Sequence, residues 1–527
     1  MAVVTRSRAS ALVTALAYDE SATFLELNEE TLRRLENNDP DLVHLKIYDY
    51  YYGYGDQDQM IEGVGRAIGG SIYLSKLKLV FVSELFENPL LEEVCRGLAR
   101  NRSIRWLTLT NGIARNLRVD IFDMLAPFFE QNKNLVELEI VRMDPESPQF
   151  RALPAALKKC QHLESVRLDE LYGDNHEEII PAVIRAINTD RLVSLYYTNT
   201  PIDVDGCKEI ARLITSPHSN SKQFTDLFMS NNDLDEECVF VLINAIREKG
   251  FASFSFSDNA IGTDLPWCFF FTTVLRDPFC SVHCLRLNGN SIGDEGAHAL
   301  GKALRVNKSV SHLDISDNPA ITIEGWKLFS RGLSCSVLEF LDIRFCDMYD
   351  ESALRIIKAL KHNACLATLM LDADDITDIM WTTLSRVLWD TSSLENTYLS
   401  NHTLCELVFS IRNEEIGDEL ASDALATAPK EVQTALMLND NNDKVGVSRQ
   451  KILLRHLLDA ADTPLIIIGV PETTLPFALA WIGQDELGYS LMYNVVQNLT
   501  ELFDPRNNFL QPAAAKKRKV RRSERFE

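Results

Sequence analysis

The stretch Val282-His283-Cys284-Leu285-Arg286-Leu287-Asn288-Gly289-Asn290-Ser291-Ile292 decides the fold. Its fixed places follow Leu-x-x-Leu-x-Leu-x-x-Asn-x-Leu, filled by Val282, Leu285, Leu287, Asn290 and Ile292. The alternation at 285 and 287 is that of a short strand with one face on a core. An asparagine amide both donates and accepts, so Asn290 can satisfy backbone groups where the chain leaves the strand. Next comes Asp294-Glu295-Gly296-Ala297, with Leu300, Ala303 and Leu304 at helical spacing. The acids stand at the helix start, where they suit the free amides and the dipole. One unit is therefore strand, turn and helix.

The unit recurs in both directions. Downstream lie Val310, Leu313, Ile315, Asn318 and Ile321, with one extra residue before the last. Upstream lie Phe251, Phe254, Phe256, Asn259 and Ile261, and before them Phe224, Leu227, Met229, Asn232 and Leu234. Weaker copies begin at Leu42, Leu74, Ile104, Leu135, Leu163 and Leu192, and at Leu338, Leu366 and Leu394. These 13 starts are separated by 27 to 32 residues. Such a period means stacked units that grow in one direction without a central core. The asparagine place lapses to Cys346, Asp374 and His402 late in the chain. It holds Tyr50, Val82, Gly112, Met143, Leu171 and Thr200 early, so those turns must close differently.

A unit of this length resembles the ribonuclease-inhibitor class of leucine-rich repeats, over about residues 41–405. The resemblance implies an α/β solenoid curved into a horseshoe, with parallel strands on the concave face and helices on the convex face. It further implies a non-catalytic scaffold for a protein partner. The repeats are also similar to those of the Ran GTPase activators, which implies GTPase activation as an alternative. Here the segment after the array is only mildly acidic and a basic tail follows, and no catalytic residue can be placed by motif. A third similarity, to the repeat domain of innate immune receptors, implies a ligand sensor. Those receptors join the array to a nucleotide-switch module, which is not legible in this sequence.

Template places three, five and seven point away from the core and make three columns on the concave face. The central column reads Lys46, Lys78, Thr108, Glu139, Arg167, Tyr196, Phe228, Ser255, Arg286, Asp314, Asp342, Met370 and Tyr398. Candidate partner-binding residues are Tyr196 and Phe228 as an aromatic anchor, with Arg286 nearby. Lys46, Lys76 and Lys78 form a basic start, and Asp314, Asp342 and Asp372 an acidic end that favours a basic surface on the partner.

Outside the array, residues 1–40 read as an N-terminal helical cap, with an amphipathic stretch over 10–36. Residues 406–445 read as an acidic connecting segment, 446–508 as a helical module and 509–527 as a flexible basic tail. The tail run Lys516, Lys517, Arg518, Lys519, Arg521 and Arg522 resembles a nuclear localisation signal for an importin groove, which places the protein in nucleus or cytoplasm.

Bulk properties narrow the function. The net charge is −23, and without the tail from Lys516 the body carries −28. Such a body repels DNA and anionic membrane. The 11 scattered cysteines suit a reducing compartment. Cys280, His283 and Cys284 lack a second ligand pair, so no metal is expected. Prolines at 464, 471 and 476 interrupt the apolar stretch Pro464 to Gly483, so no membrane span is expected. No phosphate loop, zinc-protease motif or nucleophile elbow occurs, and Gly63, Gly65, Gly69 and Gly70 lack dinucleotide spacing. The expectation is no catalysis and no cofactor.

Overall fold

Leu-x-Leu pairs in each unit dictate a strand whose inner face is fully apolar, and every such strand joins its sequence neighbours. The computed structural model describes residues 24–455, except for 50–56, 83–88, 112–119, 146, 148–149, 172–178, 217–223, 260, 262–263, 373–376, 414–416, 421–427, 442 and 453–454. The strands form one 15-stranded sheet in strictly sequential order. They are β1 (Leu25–Glu26), β2 (His44–Tyr48), β3 (Lys76–Phe81), β4 (Trp106–Asn111), β5 (Glu137–Val141), β6 (Ser165–Asp169), β7 (Ser194–Thr198) and β8 (Asp226–Phe228). There follow β9 (Ser253–Ser255), β10 (Cys284–Arg286), β11 (His312–Asp314), β12 (Phe340–Asp342), β13 (Thr368–Asp372), β14 (Glu406–Asn413) and β15 (Gly417–Leu420). All neighbours pair parallel except β14 and β15, which are antiparallel. A helix follows most strands and packs on the next unit's helix, as Asp294–Leu304 does on Ile323–Leu333. This is an α/β solenoid with strands lining one face. Strands about 4.8 Å apart cannot stay flat beside thicker helices, so the stack curves toward its strands.

The template leucines make a continuous core. Leu45, Leu77, Leu107, Leu138, Val166 and Leu195 are buried, as are Leu227, Phe254, Leu285, Leu313, Leu341 and Leu369. Their partners across the sheet are each other, so one register runs through the array. Where the unit carries extra apolar bulk, Phe254 packs edge-on against Phe270 at 4.8 Å.

The expected asparagine ladder forms. Asn232, Asn259, Asn290 and Asn318 are buried, and their amide groups donate to Tyr197 O, Met229 O, Phe256 O and Leu287 O of the preceding unit. From β5 to β12 each strand exit also turns through a left-handed residue at template place eight: Arg142, Glu170, Asn199, Asn231, Asp258, Gly289, Asp317 and Phe345, with φ between 50° and 66°. Gly289 suits this turn doubly, because a Cβ there would meet the Asp258 carboxylate at 2.2 Å.

A second ladder, not anticipated, lies just before the strands. Asn101, Asn132, Asn307, Asn363 and Asn401 are buried. Asn307 donates to Leu275 O of the previous unit and accepts from Val310 N of its own. Asn363 and Asn401 repeat that geometry toward Leu366 N and Leu404 N.

Three boundaries differ from the sequence expectation. The stretch read as one helix over 10–36 contains strand β1, paired with Leu45 and Lys46, and the shorter helix Glu29–Glu36; residues 1–23 lie outside the described ones. Leu394 does not start a strand. Leu394–Tyr398 is a short helix, and the next strand begins after Leu404, with Leu407 and Phe409 inward. Val408, not Tyr398, thus continues the central column beside Met370. Part of the stretch read as an acidic connector is β14 and β15, followed by helix Lys430–Asn439. The physical reason is that the unit before β14 is long, so spacing alone misplaces its strand. Beyond, the helix Lys444–Ile452 packs on the helices Leu394–Tyr398 and Lys430–Asn439. Its buried Lys451 donates to Leu388 O and Asn401 O at 2.7 and 3.0 Å, and burial pushes the ammonium down to about 7. The 456–508 part of the expected helical module and the basic tail lie outside the described residues.

Candidate functional site: the concave groove

On the concave face the ladder register brings the central column together as expected from place five. Arg167 pairs with Tyr196, Tyr196 with Phe228, Phe228 with Ser255, Ser255 with Arg286, Arg286 with Asp314 and Asp314 with Asp342. A groove of about 450 Å³ runs across these strands. Tyr196, Phe228, Arg286, Asp314 and Asp342 all line it, beside Arg167, His312, Phe340 and Arg344.

Its first wall is a stack. The Arg167 guanidinium lies 4.3 Å from the Tyr196 ring centre, and the Tyr196 and Phe228 rings are parallel within 5° at 4.5 Å. Arg167 is held from behind by Glu139 at 3.5 Å, and Glu139 in turn accepts from the Thr108 hydroxyl at 2.7 Å. A planar cation on a ring, backed by a carboxylate, fixes the ring's orientation before any partner arrives. Burial raises the Tyr196 phenol above its usual range, which Arg167 and Arg286 oppose.

The far wall mixes charges. Arg344 makes a two-pronged ion pair with Asp342, at 2.9 and 2.7 Å. Asp314 accepts from Ser316 N and its hydroxyl at 3.0 and 2.7 Å. Burial, then the neighbouring Asp342, pushes the Asp314 carboxyl up to about 6. His312 stacks on Phe340 at 5.8 Å, and burial pulls its imidazole below the ordinary range. Asp372 sits at the edge of this wall, accepting from Phe345 N at 2.6 Å. The acidic end is therefore partly self-neutralised: Asp342 is matched by Arg344, and Asp372 by a backbone amide.

The lysines stand elsewhere. Lys46 and Lys78 on β2 and β3 are cross-strand partners. Lys46 reaches Glu26 at 3.7 Å and the Tyr48 ring at 4.5 Å, while Lys76 lies 4.0 Å over the Trp106 ring. They do not line the groove. His312, Phe340 and Arg344 were missed because they occupy places three and seven, and reading all three columns would have found them. Cys284 faces the groove, with His283 exposed beside it. Among the described residues no group of three or more His, Cys, Asp or Glu is placed to hold a metal, and no helix is long and apolar enough to cross a membrane.

The sheet, the two asparagine ladders and the curved groove define a leucine-rich repeat solenoid. Residues 280–301 match the family model described as Leucine Rich repeat. The chain is 26% identical over 185 residues to NACHT, LRR and PYD domains-containing protein 3 of Rattus norvegicus, covering 34% of this chain and 14% of that protein. It is 23% identical over 198 residues to the ribonuclease inhibitor of Mus musculus, covering 36% of this chain and 40% of the inhibitor. Among solved structures it is similar to the leucine-rich repeat-containing protein LegL7 from Legionella pneumophila, at 13% identity and a TM-score of 0.33, covering 74% of this chain and 98% of that one. The matched parts span well under half the length of these curated relatives. The chain is a leucine-rich repeat protein whose units resemble those of the ribonuclease inhibitor.

Proposed function

We propose that this chain is a non-catalytic scaffold that binds a protein partner on its concave face. The observation that carries this is the preorganised stack of Arg167, Tyr196 and Phe228 at the edge of a groove open to large ligands. Rigid aromatic side chains already held in place lose little freedom on binding, which is why such groups anchor interfaces. Similarity to the ribonuclease inhibitor, a protein named for inhibiting an enzyme, supports the same reading. Asp258, Asp314 and Asp372 add a preference for a partner with basic groups near its anchor. The test is the double variant Tyr196→Ala, Phe228→Ala in the full chain, with partners first identified by affinity capture and mass spectrometry. Loss of the captured partner with an unchanged circular dichroism spectrum is expected. Retention of that partner by the folded variant sinks the concave anchor.

The basic run Lys516 to Arg522 extends the proposal to the nucleus through importin. A fluorescent fusion lacking these residues should shift to the cytoplasm; the same distribution with and without them removes the import reading.

A further inference from the structure

The row of large groups on the concave face is interrupted at a single strand. On β9 and just beyond it, places three, five and seven are Ser253, Ser255 and Ser257, and no other strand lining the groove is serine at all three. The strands on either side carry Phe228 and Arg286 at the same register. The result is a slot one strand wide, with an aromatic wall, a guanidinium wall and a hydroxyl floor. The three serines are 1%, 2% and 5% exposed although they face outward, and Phe228 is 5% exposed, so the slot is closed in this structure and a guest must displace the side chains that cover it.

The strand spacing suits one ring once the covering side chains move aside. Tyr196 and Phe228, on adjacent strands, stack at 4.5 Å. Two strand spacings, about 9.5 Å, separate the strands of Phe228 and Arg286. Two stacking intervals of about 4.5 Å each give nearly the same span. One planar group above Ser255 would therefore continue the series Arg167, Tyr196, Phe228 and hand it on to Arg286. The two ion pairs of the groove, Arg167 with Glu139 and Arg344 with Asp342, do not include Arg286. Its neighbours are the Cys284 thiol and the Asp314 carboxylate, so its guanidinium would offer a face to a ring without breaking either ion pair. The floor offers hydroxyls: Ser255 lies 2.8 Å from Ser257 and 3.1 Å from Ser230, oxygen to oxygen. Asp258 stands at one end, bonded to the Asn288 amide, and Asp314 beyond the guanidinium wall, bonded to Ser316.

We propose that this slot takes one aromatic side chain with a polar tip, a tyrosine or tryptophan, presented by a protein partner next to a basic residue. The ring lies between Phe228 and Arg286, its O–H or N–H donates to the serine hydroxyls, and the basic neighbour meets Asp258 or Asp314. The net charge of −23 argues against a nucleobase as the planar group. The proposal rests on the concave face being the binding face, and narrows it to one side-chain chemistry.

The experiment titrates the full chain with p-cresol and 3-methylindole, with 4-methylcyclohexanol as the non-aromatic control, read by saturation-transfer NMR. The aromatic probes should bind about 2- to 10-fold more tightly than the control. Ser255→Phe, which fills the slot from within, should abolish their binding, and Arg286→Ala should weaken it about 2- to 5-fold. Ser255→Ala, which keeps the slot open but removes the central hydroxyl, should weaken 3-methylindole about 2- to 5-fold, less than the loss in Ser255→Phe. Equal binding of the cyclohexanol, or undiminished binding by folded Ser255→Phe, overturns the proposal. If Ser255→Phe does not fold, the Arg286→Ala titration decides alone. Self-association abolished by Arg286→Ala would put a second copy in the slot and overturn the assignment to a different partner. If the probes fail while Tyr196→Ala, Phe228→Ala still loses its captured partner, the slot falls and the concave face stands.

Discussion

Asp314 shows how one carboxylate can carry both a surface and a stability cost. Burial and the adjacent Asp342 raise its carboxyl to about 6, against an ordinary value near 3.8. Below about pH 4 it is protonated in folded and unfolded chains alike, and no penalty arises. Between there and 6 the folded chain holds a proton that the unfolded chain has released, so stability falls as pH rises through that window. Above it the loss is complete. Asp314→Asn should therefore gain denaturant resistance over the natural chain at pH 7 and show little difference at pH 4. A constant difference at both values would show that the carboxyl is not raised. Arg142 and Phe345 carry a different cost, being bulky residues at φ 57° where only a turn of the repeat holds them. The adjacency of Asp314 and Asp342 was legible in the central column, but neither the burial that raises the carboxyl nor the left-handed turn was. Place eight looked unconstrained, and the carboxyl is raised first by burial and then by Asp342, and depth of burial on an outward place cannot be read from a repeat pattern.

At the scale of the element, the asparagines are the parts whose loss should be felt most. Asn318 is 0% exposed. It donates to Leu287 O, Ile315 O and Ser316 O at 2.9 to 3.0 Å, and accepts from Asn290 N and Ile292 N at 3.2 and 2.8 Å. Asn318→Ala strands these backbone groups without water, at a cost of about 3 kcal/mol. Amide exchange should rise first in the two units flanking β11, with distant units unaffected; uniform loss of protection would mean that the stack is not locally coupled. The sequence made this ladder legible, because Asn290 repeats at fixed offset from an apolar alternation. The preceding ladder was equally available as Asn-x-x-Leu, at Asn363 to Leu366 and Asn401 to Leu404. Had it been read, β14 would have been placed correctly and Tyr398 removed from the column. Length was the weaker guide there, since a short extra helix at Leu394–Tyr398 stretches the unit without disturbing its strand.

For the whole molecule, pattern sufficed for topology and for which residues share the concave face, because the alternation period is 2 and cannot drift within a strand. Pattern did not suffice for what those residues do to one another. Tyr196 and Phe228 could be read as neighbours, but Arg167 bracing them and Arg344 neutralising Asp342 are side-chain choices made in three dimensions. Lys46, Lys76 and Lys78 belong to a separate surface for the same reason: the sheet keeps sequence order, so distance along the chain becomes distance in space. Function was least legible, since the repeat specifies a frame and leaves the outward positions to vary.

The strictly sequential strand order has a mechanical meaning. Each strand is hydrogen-bonded only to the strands before and after it in the chain, so tension applied at the two ends has no long-range crossover to resist it. Load would peel the stack from an end one unit at a time. Each event would release roughly 28 residues, about 95 Å of slack at extended-chain length. The molecule is accordingly a spring with graded yield points, and a ligand bridging several strands of the groove would act as a clamp across them.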